Sequence, residues 1–207
     1  MKVLLVNGSP HEHGCTDMAM QQTAAVLESL GISTEIFWVG NKPISGCIGC
    51  GACKKGLGKC CIDDTVNQFV QKAAEADGFV FGSPVHYAAI SGAMCAFMDR
   101  AFYSGGNVMA FKPAAGVVSC RRGGASAAFD QLNKYFTINN MPVVSSQYWN
   151  QVHGSAPEQV LQDEEGIQTL STLAKNMAWL LKCIEAGRAA GIEHPTPEKV
   201  IRTNFIR

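Results

Sequence analysis

Residues 1–17 read MKVLLVNGSPHEHGCTD, an apolar run, a bend and the start of a helical pattern. Lys2 to Asn7 is an unbroken apolar run, as expected of a parallel strand with helices over both faces. It stops at the Gly8-Ser9-Pro10 bend, and Thr16 to Leu30 then takes up a helical period, with Cys15 or Thr16 as the expected cap. A strand passing through a short turn into a helix is the opening unit of an alternating α/β sheet. Four more short apolar runs follow, at Ser33 to Val39, Gly78 to Gly82, Pro113 to Ser119 and Pro142 to Ser145. Helical patterns at Thr65 to Ala76, Ser91 to Tyr103, Ala125 to Phe136 and about Gly166 to Gly187 complete the set.

Alternation with right-handed crossovers predicts an α/β, doubly wound, five-stranded parallel sheet of the flavodoxin-like kind, in the order 2-1-3-4-5. The 207 residues, 47% of them hydrophobic, suffice for one domain over residues 1–190. Two segments stand apart from the pattern: a Cys-rich insertion at 40–62 and a polar C-terminal tail at 191–207. Seventeen basic residues balance seventeen acidic ones. No global field therefore recruits nucleic acid or an anionic membrane. The N-terminal apolar run is too short for a secretory signal, and nine cysteines without one read as reduced thiols, so the expected location is cytoplasmic.

Ligands of such sheets gather at the carboxyl ends of the strands. The first loop matches neither the GxGxxG fingerprint nor the GxxxxGK[ST] loop. It offers the hydroxyls of Ser9 and Thr16, a pliable Gly14 and several N–H groups at a helix N-terminus, which can bind a phosphate without a lysine. The alternative is an ordinary strand-to-helix turn in which Ser9 and Thr16 only cap the backbone. After the third strand, Pro84, Val85, His86 and Tyr87 offer flat or apolar surface. After the fourth, Ser119 and Cys120 lead into Arg121, Arg122 and Gly123, a loop bearing two adjacent charges that suit either a heterocycle or a surface ion pair.

In order and spacing, "NGSPHEHGCT", "GSPVHYAAISGAMCAFMDR" and "SCRRGG" resemble the three FMN-binding loops of the flavodoxin-like NAD(P)H-dependent FMN reductase family. The resemblance runs from about Met1 to Gly187. It implies that Ser9, His11, Cys15 and Thr16 surround the ribityl phosphate, that Pro84, Val85, His86 and Tyr87 line the isoalloxazine, and that Ser119 through Gly123 meet its pyrimidine edge. Tyr87 has an alternative place in the core beside the third helix.

The insertion, CIGCGACKKGLGKCC at residues 47–61, holds five cysteines. Cys47, Cys50, Cys53 and Cys60 follow C-x2-C-x2-C-x6-C, unlike the paired knuckles of structural zinc and closer to the run that wraps an iron-sulfur cubane. The loop resembles the cluster motif of iron-sulfur flavoproteins, which implies these four as ligands of a [4Fe-4S] centre, with Cys61 a bystander. Flavin-only relatives also carry cysteines here, so a cluster-free loop is the competing reading. Cys95 and Cys183 fall at apolar helical positions and read as core.

The leading functional expectation is an oxidoreductase that takes electrons from NAD(P)H through FMN to a quinone, nitro, azo or similar small-molecule acceptor. No side chain is expected to act as acid or base, because the cofactor carries the chemistry. The alternative is an electron carrier between ferredoxin and an acceptor. By the same resemblance a homodimer or homotetramer is expected, with Tyr148, Trp149 and His153 near the boundary.

Overall fold

In a computed structural model describing residues 1–203, three layers stack as helix, sheet and helix. The last four residues of the expected tail, 204–207, lie outside the described residues. Strands β1 (Lys2–Asn7), β2 (Ser33–Trp38), β3 (Gly78–His86) and β5 (Ala114–Cys120) are parallel. The two-residue β4 (Ala89–Ile90) folds back antiparallel on the end of β3, and β6 (Gln151–His153) closes the far edge beside β5. The sheet order is β2-β1-β3-β5-β6. Counting the parallel strands alone gives 2-1-3-4-5, the expected order, with the small β4 hairpin as the addition.

Both faces are dry. Helices α2 (Thr65–Ala74), α3 (Gly92–Met109) and α4 (Ala125–Ile138) cover one face, packing Phe69, Phe97 and Phe136 against Phe79 and Phe81 of β3. Helices α1 (Cys15–Ser29) and α6 (Glu164–Ala189) cover the other, with Leu27, Leu173 and Met177 against Val3, Leu5 and Val80. A four-residue helix, α5 (Pro157–Val160), precedes α6.

Three expectations are corrected. The cap of α1 is Gly14, not Cys15 or Thr16, so the Thr16 hydroxyl is free for another partner. Helix α3 continues past Tyr103 to Met109, and Gly105 within it leaves room for Val70 of α2, since a Cβ there would stand 2.6 Å from that side chain. The fifth strand position is filled in two pieces. Val143 makes only a lone bridge to Ala114, and the ladder resumes at Gln151–His153 against Val118–Cys120. Residues 145–150 bulge from the edge, and Asn150 spans the gap by donating from Nδ2 to the Gly116 carbonyl at 3.0 Å. Among the described residues no helix is long and apolar enough to cross a membrane.

Candidate functional site

Strands β1, β3 and β5 deliver their following loops to one edge of the sheet, and these loops enclose a cleft of about 400 Å³. The first loop is held from within. The Asn7 side chain accepts from the Ser9 N–H at 3.0 Å and donates to the Glu12 carbonyl at 2.9 Å, while Ser9 Oγ accepts from the His11 N–H at 3.1 Å. From outside, Trp38 Nε1 donates to the Ser9 carbonyl at 2.8 Å and Ser91 Oγ to the Gly8 carbonyl at 3.0 Å. The loop is thus held by the protein's own side chains. It leads into the first turn of α1, whose N–H groups have no intrahelical acceptor.

Nine of the expected flavin-site residues line the cleft together: Ser9, His11, Cys15 and Thr16 from the first loop, Pro84 and Val85 from the second, Ser119, Cys120 and Arg121 from the third. A 2.8 Å hydrogen bond between the buried hydroxyls of Thr16 and Ser119 ties the first loop to the third. At Gly14 an added Cβ would stand 3.2 Å from His11 Cβ and 3.7 Å from Ser9 Oγ, so the missing side chain keeps the cradle open. An amide-lined cradle against an apolar wall of Pro84 and Val85 fits a phosphate-bearing heterocycle. Arg121 brings a cation to the cleft lining. Burial, the larger effect, pushes the thiols of Cys15 and Cys120 above their ordinary value, so neither presents a thiolate at neutral pH.

Four expected residues are not in this lining. His86 ends β3 and Tyr87 opens the turn to β4, both solvent-exposed, and Arg122 and Gly123 are exposed beyond Arg121. Tyr87 is fully exposed with φ of 50°, which excludes the core alternative. Sequence reasoning missed Gly154, Ser155 and Pro157, which close the cleft from the far side. Their signal, a turn after a strand end, was hidden while the fifth strand was placed at Pro142 to Ser145.

The Cys-rich insertion forms a second site. Cys47, Cys50, Cys53, Cys60 and Cys61 all line one pocket, together with Arg100 and Tyr103 of α3. Cys50 and Cys61 approach each other, Sγ to Sγ at 3.4 Å. The Ala52 backbone and then Cys61 hold the Cys50 thiol below its ordinary value, and Cys50 raises that of Cys61. Among the described residues no three His, Cys, Asp or Glu side chains are close enough to hold a metal ion. The soft all-sulfur donor set fits an iron-sulfur group, but the pocket holds only about 20 Å³. The loop has to widen to admit a cluster. Gly49, Gly56 and Gly58, at positive φ with open space around each, give the backbone that freedom. Of the two helical cysteines read as core, Cys95 is half-buried and Cys183 exposed.

A parallel sheet in this order with a ligand cleft at its carboxyl edge defines a flavodoxin-like protein. Residues 1–155 match the family model of the NADPH-dependent FMN reductases, and the chain belongs to that family. An iron-sulfur flavoprotein of Methanocaldococcus jannaschii is 32% identical over 193 residues, covering 89% of this chain and 100% of its own length. An iron-sulfur flavoprotein of Methanosarcina thermophila is 26% identical over 91% of this chain and 99% of its own. Among solved structures, a flavone reductase superposes with a TM-score of 0.69 at 18% identity, over 89% of this chain and 64% of that one. An archaeal flavodoxin gives a TM-score of 0.60 at 16% identity, over 88% and 99%. At such identities the superpositions speak for the fold alone.

Proposed function

We propose that this chain is an FMN-dependent oxidoreductase that draws electrons from NAD(P)H and delivers them to a quinone, nitro, azo or similar small acceptor. The observation that carries the reading is the convergence of three strand ends on one cleft, tied by the Thr16–Ser119 hydroxyl pair. Bound there, FMN supplies hydride acceptance and one- or two-electron release. The chain's own residues bind and orient. The first turn of α1, with Ser9 and Thr16, holds the phosphate by dipole and hydrogen bonds. Pro84 and Val85 exclude water from one side of the ring. Arg121 offers positive charge toward the pyrimidine edge, which favours the reduced, more anionic form. His86, Tyr87, Arg122 and Gly123 belong to the rim.

A second reading has its own support: five thiols face one pocket, and the curated relatives above are named iron-sulfur flavoproteins. In it, Cys47, Cys50, Cys53 and Cys60 hold a [4Fe-4S] centre and electrons come from ferredoxin. In either reading the exposed Tyr148–Trp149 pair, ring centroids 4.8 Å apart, suits an interface of a homodimer or homotetramer.

Anaerobically purified protein tests both. A flavin spectrum bleached rapidly by NADH or NADPH supports the reductase. A flavin spectrum with about four irons per chain, slow with pyridine nucleotides and fast with reduced ferredoxin, supports the carrier. Colourless protein that takes up no FMN overturns both.

A further inference from the structure

The notable side chain beneath the Cys-rich loop is Arg100, whose side chain is wholly buried at 0% exposure. A guanidinium has five N–H donors, and each has an acceptor in this segment. Nη1 donates to Asp64 Oδ2 at 2.7 Å and to the Ser45 carbonyl at 3.3 Å. Nη2 donates to Asp64 Oδ1 at 2.9 Å and to the Ile62 carbonyl at 2.9 Å. Nε donates to Cys60 Sγ at 3.3 Å. One side chain on the rigid α3 therefore gathers both ends of the insertion and touches one of its five sulfurs.

Cys60 is also fixed through its backbone. Asn67 of α2, itself buried, accepts from the Cys60 N–H at 3.1 Å and donates to the Cys60 carbonyl at 3.0 Å. Its neighbour Cys61 is exposed, with its sulfur against Cys50. Composition cannot separate two adjacent cysteines, but this clamp does.

We infer that Arg100 is a positioning residue that selects Cys60 over Cys61 as the fourth thiolate of the loop, and that its Nε–H bond to that sulfur raises the reduction potential of the group held there. The inference rests on the iron-sulfur reading above. Its physical basis is that a hydrogen bond to a ligating sulfur stabilises the more electron-rich, reduced state. A charge-assisted donor, here from a guanidinium that is itself buried, does so more strongly than a neutral one.

The test uses anaerobically purified holoprotein, with iron content, FMN content and an EPR-monitored redox titration as readouts. C60S is expected to lose iron and keep FMN, whereas C61S keeps both. R100K retains the positive charge but cannot reproduce the planar fork. It is expected to shift the one-electron equilibrium about tenfold toward the oxidised cluster, which lowers its midpoint potential by about 59 mV and leaves the flavin potential in place. Should R100K fail to retain FMN, R100M/D64N removes the whole ion pair with no change in net charge and no unpaired carboxylate. Asn at 64 still caps α2. The same negative shift is expected, and iron loss with FMN retained in either Arg100 variant also supports the assignment. An unchanged cluster potential, iron retained in C60S but lost in C61S, or FMN lost from both Arg100 variants overturns it. Parent protein with FMN but without iron removes the cluster reading itself, which the parent measurement alone reveals.

Discussion

At the scale of single residues, Tyr87 holds a backbone conformation that a side chain disfavours. Tyr87 and Ala88 form the two-residue turn between β3 and β4 at φ of 50° and 59°, a conformation that favours glycine. Tyr87 makes up none of the cost by burial, being fully exposed. Strain of this kind clusters at functional sites, so the rim position proposed for Tyr87 can be tested. Y87G is therefore expected to raise stability by up to about 1 kcal/mol in urea denaturation, while weakening FMN retention or slowing acceptor reduction. A lower urea midpoint would show that the ring stabilises the fold after all. The residue types at the cleft were readable from the sequence because hydroxyls, glycines and a helix start mark a phosphate cradle. The role of Arg100 was not, since within "AFMDRAF" it is one more cation on a helix, and only packing buries it beside Cys60.

At the scale of elements, the strand-to-loop junctions hold the site, and two changes probe them. At Gly8 an added Cβ would stand 2.4 Å from Met94 Sδ and 2.9 Å from the Gly82 carbonyl. The sulfur can move but the carbonyl is part of β3. G8A is expected to cost about 1–3 kcal/mol of stability and to weaken FMN binding in a fluorescence titration, because the displaced backbone is the cradle itself. Glu35 joins three elements, accepting from Lys2 of β1 at 2.5 Å and Lys72 of α2 at 2.6 Å. Those bonds, Lys2's first, hold its carboxyl below the ordinary 4.5. A depressed folded value stabilises above the unfolded one and is lost as pH falls through it. Removing the charge in E35Q should therefore lower the melting temperature at pH 7, and the gap to the parent should close as pH drops below about 4.5. A gap unchanged at pH 3 would exclude the ion pairs as its origin. Among elements, the strand starts and types of β1, β2, β3 and β5 were legible from apolar runs. The edge was not, because Pro142 and the bulge at 145–150 break a pairing that no local pattern encodes.

At the scale of the whole molecule, the cleft exists only when the chain is folded, so its ligand must stabilise the fold by mass action. With FMN at a hundred times its dissociation constant the gain is about 2.7 kcal/mol, roughly 5–10 °C in melting temperature for a chain of this size. Calorimetry of flavin-stripped protein with and without FMN measures it, and no shift at saturating FMN would empty the cleft of its proposed ligand. The α/β alternation, the parallel sheet and the loops at its carboxyl edge were legible in the amino acids alone, since apolar periodicity and turn residues are local signals. Which residues meet depends on packing across the fold: Thr16 with Ser119, Gly154 and Ser155 with the first loop, and Arg100 with Cys60. These pairs lie 40 or more positions apart, and their contact depends on crossover geometry and close packing, which no single segment specifies.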